Sequence, residues 1–172
     1  DHQRSDGTVF PCQVTLKKIE YEGKTCLLST TVEITEMVSL RKKSEFIVQN
    51  APTPIMDINP DLSIRTGNNA FGALVDLSFE ELKNMKLSDF DIRSRVGGSL
   101  SEGLALKQDV SGEMEAVVPA GTVYLQYFYK PFYGDDGNLV SIIAYYINKT
   151  EEKTAVKDIL ALTDRCQAGH LD

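Results

Sequence analysis

The side chains best suited to chemistry are few and poorly placed for it. The two histidines, His2 and His170, lie near the two ends of the chain. A Ser-His-Asp or Cys-His site inside a folded core therefore lacks its base. A haem needs an axial ligand, usually His, on an internal helix, and residues 86–110 contain none. His170 is followed by Leu171 and Asp172, not by the Glu and basic residue of the common phospho-acceptor type. Cys12, Cys26 and Cys166 have no metal-ligand spacing and read as small apolar side chains of a reducing compartment. Gly97-Gly98 has no phosphate-loop context and no following Lys, so it reads as a turn. The acid pairs Glu80-Glu81 and Glu151-Glu152 fall in first helical turns, where the helix dipole accounts for them. No catalytic residue and no metal ligand is expected, and an enzyme is not.

The tyrosines are the exception. Read as a strand, residues 122–133 put Val123, Leu125, Tyr127, Tyr129 and Pro131 on one face. Tyr124, Gln126, Phe128, Lys130 and Phe132 fall on the other. A four-residue loop at 134–137 sets Tyr129 opposite Ile142, Tyr127 opposite Ala144 and Leu125 opposite Tyr146. A buried tyrosine hydroxyl needs a partner, at a cost of about 1–3 kcal/mol if it finds none. Other side chains, water or a polar ligand can supply it. The second face, with Phe128, Phe132, Ile143, Tyr145 and Ile147, is too apolar to be fully wet.

The elements that carry these residues show an internal repeat. Residues 7–36 run Gly-Thr-Val-Phe, strand, turn, strand, Glu33-Ile34-Thr35-Glu36. Residues 121–151 run Gly-Thr-Val-Tyr, strand, Gly134-Asp135-Asp136-Gly137, strand, Asn148-Lys149-Thr150-Glu151. Only the second copy is preceded by further strands and helices. The expected organisation is a terminal hairpin of a preceding, truncated domain at 1–35, a linker helix at 36–50, a complete domain at 46–150 and a C-terminal helix at 151–172. A three-residue loop Tyr21-Glu22-Gly23 would set Phe10 opposite Ile34 and Cys12 opposite Val32, giving the hairpin one apolar face. Cys12 and Cys26 then lie about 20 Å apart along the ladder, too far for a disulfide.

Within the domain, Ile55–Asn59 and Ser63–Thr66 read as strands. Asn68-Asn69-Ala70-Phe71 opens a short helix, and Ser78 with Glu81 forms a capping box for the next. A helix follows Gly97-Gly98 near 99–107, and 112–118, 122–133 and 139–147 are three strands. This order resembles the PAS family. Asn68-Asn69-Ala70-Phe71 followed by Ser78-Phe79-Glu80-Glu81-Leu82 is similar to its Asn-x-Ala-Phe and Ser-x-x-Glu-Leu signature, with Asp76 where the family usually has Gly. Both copies of the repeat end like the family's Asp-Ile-Thr but lack the Asp. The resemblance implies an α+β fold: an antiparallel five-stranded sheet with helices on one face, plus flanking helices and the N-terminal hairpin.

What the resemblance implies of function is sensing and relay upstream of a signalling domain, of the chemotaxis-receptor or histidine-kinase type. It directs the Pro131 face inward, so Leu125, Tyr127, Tyr129, Ile142 and Tyr146 would either simply fill the core or line a ligand pocket with Met56, Ile58 and Leu74 as its apolar wall. Glu33, Thr35, Asn148 and Thr150, at the strand–helix junctions, are the expected relay residues. The cysteinyl-flavin subgroup needs a Cys on its fourth helix, and none lies between 27 and 165. No cofactor is assigned, and an unknown small molecule is left open. A homodimer through the flanking helices is expected, because Val156, Ile159, Leu160, Thr163 and Cys166 form a narrow apolar stripe. A ligand-free dimerisation spacer is the alternative. A net charge of -7 argues against nucleic acid and anionic membranes as partners. No apolar run approaches the about 20 residues of a membrane span. The chain begins Asp-His-Gln and reads as a piece of a longer, cytoplasmic protein.

Overall fold

A computed structural model describes residues 1–167, with side chains as far as Asp164. The chain divides into two units, Asp1–Ile47 and Val48 onward.

In the first unit β1 (His2–Gln3) pairs with β2 (Val9–Phe10), and β3 (Cys12–Tyr21) pairs with β4 (Lys24–Glu33) before α1 (Thr35–Gln49). Pro11 interrupts the first long strand. The hairpin register differs from the expected one. Tyr21 pairs with Lys24 and Cys12 with Glu33, around a two-residue turn of Glu22 and Gly23. Both turn residues have positive φ, 49° and 72°, the two-residue turn whose twist matches that of the strands. The apolar face that argued for the longer loop exerts no pull, because Val14, Leu16, Leu27, Leu28 and Val32 are all exposed. Cys12 and Cys26 are free. α1 buries none of its residues. A lone two-stranded hairpin is marginal in water. Deleting residues 1–34 is therefore expected to leave cooperative melting of the second unit, with Tm changed by less than about 4 °C. Loss of that transition would place the hairpin inside its core.

The second unit is one antiparallel sheet in the order β6-β5-β10-β9-β8-β7. Its strands are β5 (Ile55–Ile58), β6 (Ile64–Gly67), β7 (Asp91–Gly97), β8 (Val110–Val118), β9 (Gly121–Tyr133) and β10 (Leu139–Asn148). There are six strands, not five. β7, sequence Asp-Ile-Arg-Ser-Arg-Val-Gly, is an exposed edge strand whose charged residues give it no apolar alternation. Between β6 and β8 lie α2 (Asn69–Val75), α3 (Phe79–Leu82), a 3-10 turn (Leu87–Asp89) and α4 (Leu100–Leu106). Phe71, Val75, Leu82 and Leu100 from these helices join the core with Met56, Ile58, Met114, Leu125, Tyr127, Tyr129, Ile142 and Tyr146 from the sheet.

Local chemistry explains the short elements. The Asn68 side chain caps α2 by accepting from the Phe71 amide. Asp76 ends α2 in the left-handed conformation, φ 54°, which a glycine would enter at lower cost and which Asp tolerates. Ser78 and Glu81 make the capping box of α3 reciprocally. The β9–β10 loop is longer than expected: Tyr133 pairs with Leu139, and a bulge follows before Ser141. Tyr129 consequently faces Ala144, Tyr127 faces Tyr146 and Leu125 faces Asn148. The shift is two positions, so every side chain keeps its face.

The outer face is shielded only in part. Phe128 and Tyr145 are half-buried and stack on each other, with ring centroids 4.7 Å apart. Phe132, Val140, Ile143 and Ile147 are exposed. Over the Tyr124 end of this face runs α5 (Thr150–Gln167). The last residues of the expected 151–172 helix, His170 among them, lie outside the described residues, as does the side chain of Cys166.

Candidate functional site

Three tyrosines converge in the core. The Tyr127 and Tyr129 rings stack at 5.0 Å, and Tyr129 meets Tyr146 edge-on at 6.3 Å. Tyr146 packs on Phe71 at 5.6 Å. All three tyrosines are buried, and Tyr127 donates its hydroxyl to the Gly98 carbonyl at 2.9 Å. The Tyr129 hydroxyl is buried without a hydrogen-bond partner. The Tyr146 hydroxyl is its polar neighbour, close enough for each to perturb the other. Burial lifts Tyr129 above the ordinary phenol range, and lifts Tyr146 well above it, with Tyr129 adding to the rise. Both stay protonated at neutral pH.

Beside them is a small cavity lined by Ile92, Met114, Ala116, Val118, Leu125, Tyr129 and Tyr146 from the sheet and by Phe71, Val75, Leu87 and Phe90. Of the residues predicted from sequence, Leu125, Tyr129 and Tyr146 reach it. Met56, Ile58, Tyr127 and Ile142 are buried elsewhere in the same core. Leu74 is half-buried and lines a surface groove with Pro54 and Asn148 instead. The lining from 87–92 was not anticipated, because it comes from the 3-10 turn and the edge strand, which have no periodic signal. The cavity volume is about 30 Å³, room for about one or two water molecules. Sites for organic ligands are roughly tenfold larger. Neither His nor Cys lines the cavity. Among the described residues no His/Cys/Asp/Glu cluster could hold a metal, and no helix is long and apolar enough to cross a membrane.

The two strand–helix junctions use matching positions with different bonds. In the first, Glu33 accepts from Thr35 Oγ1 at 2.7 Å and from Arg4 at 2.5 Å. These bonds lower its pKa, the Arg4 bond most. In the second, Asn148 Oδ1 accepts from the Thr150 amide at 2.9 Å, and Thr150 Oγ1 accepts from the Tyr124 amide at 3.0 Å. The Lys149 amide donates to the Tyr124 carbonyl at 2.7 Å. Tyr124 thus holds the start of α5 from both sides of its peptide. Sequence reasoning placed it on the outer face but had no signal for this role.

No family model matches the chain, and no curated protein does. Solved structures do. A PAS domain from a two-component sensor histidine kinase aligns with 66% of this chain and 99% of its own, at 13% identity and TM-score 0.55. The PAS domain of nitrogen regulation protein NR(II) from Vibrio parahaemolyticus aligns with 61% of this chain and 96% of its own, at 18% identity and TM-score 0.52. An RNA-binding light-oxygen-voltage receptor aligns with 92% of this chain, at 14% identity and TM-score 0.60, and the match spans 44% of that receptor. With the strand order, the capped α2 and α3 and the inward tyrosine face, these likenesses establish that the unit from Val48 onward has the PAS fold.

Proposed function

We propose that this unit is a signal-transduction module that relays a change in its core or its partners into α5, and is not an enzyme. The observation that carries this is the pairing of a nearly filled PAS core, with one unpartnered Tyr129 hydroxyl, and a helix hydrogen-bonded to the central sheet at Tyr124 and Thr150. A core of this kind holds at most water or a ligand of a few atoms and responds to small displacements. The size of the cavity also favours a second reading, a ligand-free dimerisation spacer, as do the exposed apolar residues of α1 and α5.

Native mass spectrometry tests the first reading. The mass of the chain alone, or with an increment of a few atoms, is the expected result. Retention of a ligand of flavin size would show that the walls open and would overturn the filled-core account. Tyr129→Phe adds a thermodynamic arm. It removes a buried hydroxyl that has no partner, so unfolding free energy is expected to hold or rise by up to about 1 kcal/mol. A loss above about 1 kcal/mol would show that a bound molecule or ordered water satisfies that group.

A further inference from the structure

α5 rests on the sheet by the wrong face for ordinary helix docking. An amphipathic helix on a domain surface normally buries its apolar stripe. Here Val156, Ile159, Leu160 and Leu162 are 51–62% exposed. The residues turned to the sheet are Lys149, Lys153 and Lys157, which share a groove with Glu113, Glu115 and Tyr124. Four-residue spacing puts the three lysines in one row along the helix.

Each rung has a partner. Lys149 donates its amide to the Tyr124 carbonyl and pairs its ammonium with Glu152 at 2.7 Å. Lys153 reaches Glu113 on β8 at 3.0 Å. Lys157 hydrogen-bonds the Tyr124 hydroxyl and lies 4.4 Å from the centre of that ring. Tyr124 therefore meets α5 with its amide, carbonyl, ring and hydroxyl. Apart from the two junction bonds at Tyr124, these contacts are ion pairs, a cation–π contact and an ammonium–hydroxyl hydrogen bond, all of them exposed.

We propose that Tyr124, Glu113 and the lysine row form an electrostatic latch, which holds α5 by its charged face on the outer side of the sheet and is opened by screening or by competing anions. This deepens the relay reading and rests on it: the latch is the step at which the sheet governs the helix. Exposed ion pairs are individually weak and screened by salt, so the docked helix is held close to release. Docking by the lysines also leaves the apolar stripe of α5 facing outward.

Hydrogen exchange across α5, compared at about 50 mM and about 500 mM NaCl, tests this on the full chain. Amides between 153 and 160 are expected to exchange about fivefold faster at high salt, while β9 and β10 keep their protection. Tyr124→Ala removes the ring and hydroxyl without touching the helix. It is expected to give that faster exchange at low salt and to remove most of the salt response. Lys157→Met, on the exposed helix, is expected to do the same in part and covers the case in which Tyr124→Ala loosens the sheet. Exchange in α5 that ignores salt and both substitutions would overturn the latch. The relay reading is separated by Tyr129→Phe. If that core change leaves α5 exchange untouched while the latch variants respond, the latch stands and the relay reading fails.

Discussion

Replacing Asn68 with alanine is expected to lower the unfolding free energy of the domain by about 3 kcal/mol or more. Asn68 is a buried polar residue, 3% exposed, and its amide is used at both ends. Oδ1 accepts from the Ile55 amide at 2.9 Å and the Phe71 amide at 3.0 Å. Nδ2 donates to the carbonyls of Thr53, Ala51 and Val48 at 2.8, 3.2 and 3.1 Å. One side chain thus ties the segment entering β5 to the start of α2. Two N–H protons shared among three carbonyls and two lone pairs on Oδ1 make at most four full bonds, and alanine removes them all in a place water reaches poorly. The Phe71 amide keeps the Asn68 carbonyl at 3.1 Å, and Val48 keeps the Ala51 amide at 3.3 Å. Asn68→Ser is expected to recover about 1 kcal/mol by capping α2 again, and no more, because its hydroxyl is too short to span to the 48–53 carbonyls. Urea unfolding measures both, as a shift in midpoint at constant slope. A loss below about 1 kcal/mol for alanine would show that water takes over the amide's bonds and that the segment before β5 is held by other means.

That role was only half legible in the sequence. The run Asn68-Asn69-Ala70-Phe71 announces the opening of a helix, and the cap Asn68 makes there is a local bond between neighbours. Its donation to carbonyls 15 to 20 residues upstream is a tertiary event with no spacing to betray it. The same division holds elsewhere. Alternation in 122–133 assigned the inward face, since period two survives any even shift of register, and the β9–β10 register did shift by two. The Cys12–Glu33 hairpin went the other way: backbone twist at Glu22-Gly23 decided a register that side-chain burial was expected to decide. The sixth strand was missed because an edge strand has no need of an apolar face. The lysine row of α5 was visible as spacing, but a charge row is usually a solvated face, and only the position of Glu113 and Tyr124 across from it gives it a partner.

Gly112→Ala is expected to cost about 3 kcal/mol and to strip β7 from the sheet edge. Gly112 on β8 pairs with Gly97 on β7 and with Tyr127 on β9. Tyr127 lies back over this glycine to reach the Gly98 carbonyl, so a ring occupies the space a side chain would take. A Cβ on Gly112 would sit 2.2 Å from the Val96 carbonyl oxygen, 2.5 Å from the Tyr127 hydroxyl oxygen and 2.7 Å from Tyr127 Cζ. Gly97 cannot give way freely, because its φ of +121° is one L residues rarely adopt and its own Cβ position is blocked by Gly112 Cα at 2.6 Å. The Tyr127 ring is fully buried beside Tyr129 and has no room to rotate. The ladder must therefore open on the β7 side, where the sheet ends. Exchange of β7 amides reports this separately from the global loss, and β9–β10 protection should fall only by the global amount. Tyr127→Phe alone is expected to cost about 1 kcal/mol for the Gly98 bond. It should rescue Gly112→Ala only in part, since the backbone oxygen and Cζ contacts remain while the hydroxyl contact goes, and because the two residues touch, the double variant should lose less than the sum of the single losses, by about 0.5 kcal/mol or more. Full rescue by Tyr127→Phe would show instead that the hydroxyl alone excludes a side chain at 112, and that the β7–β8 backbones have the slack this geometry denies them.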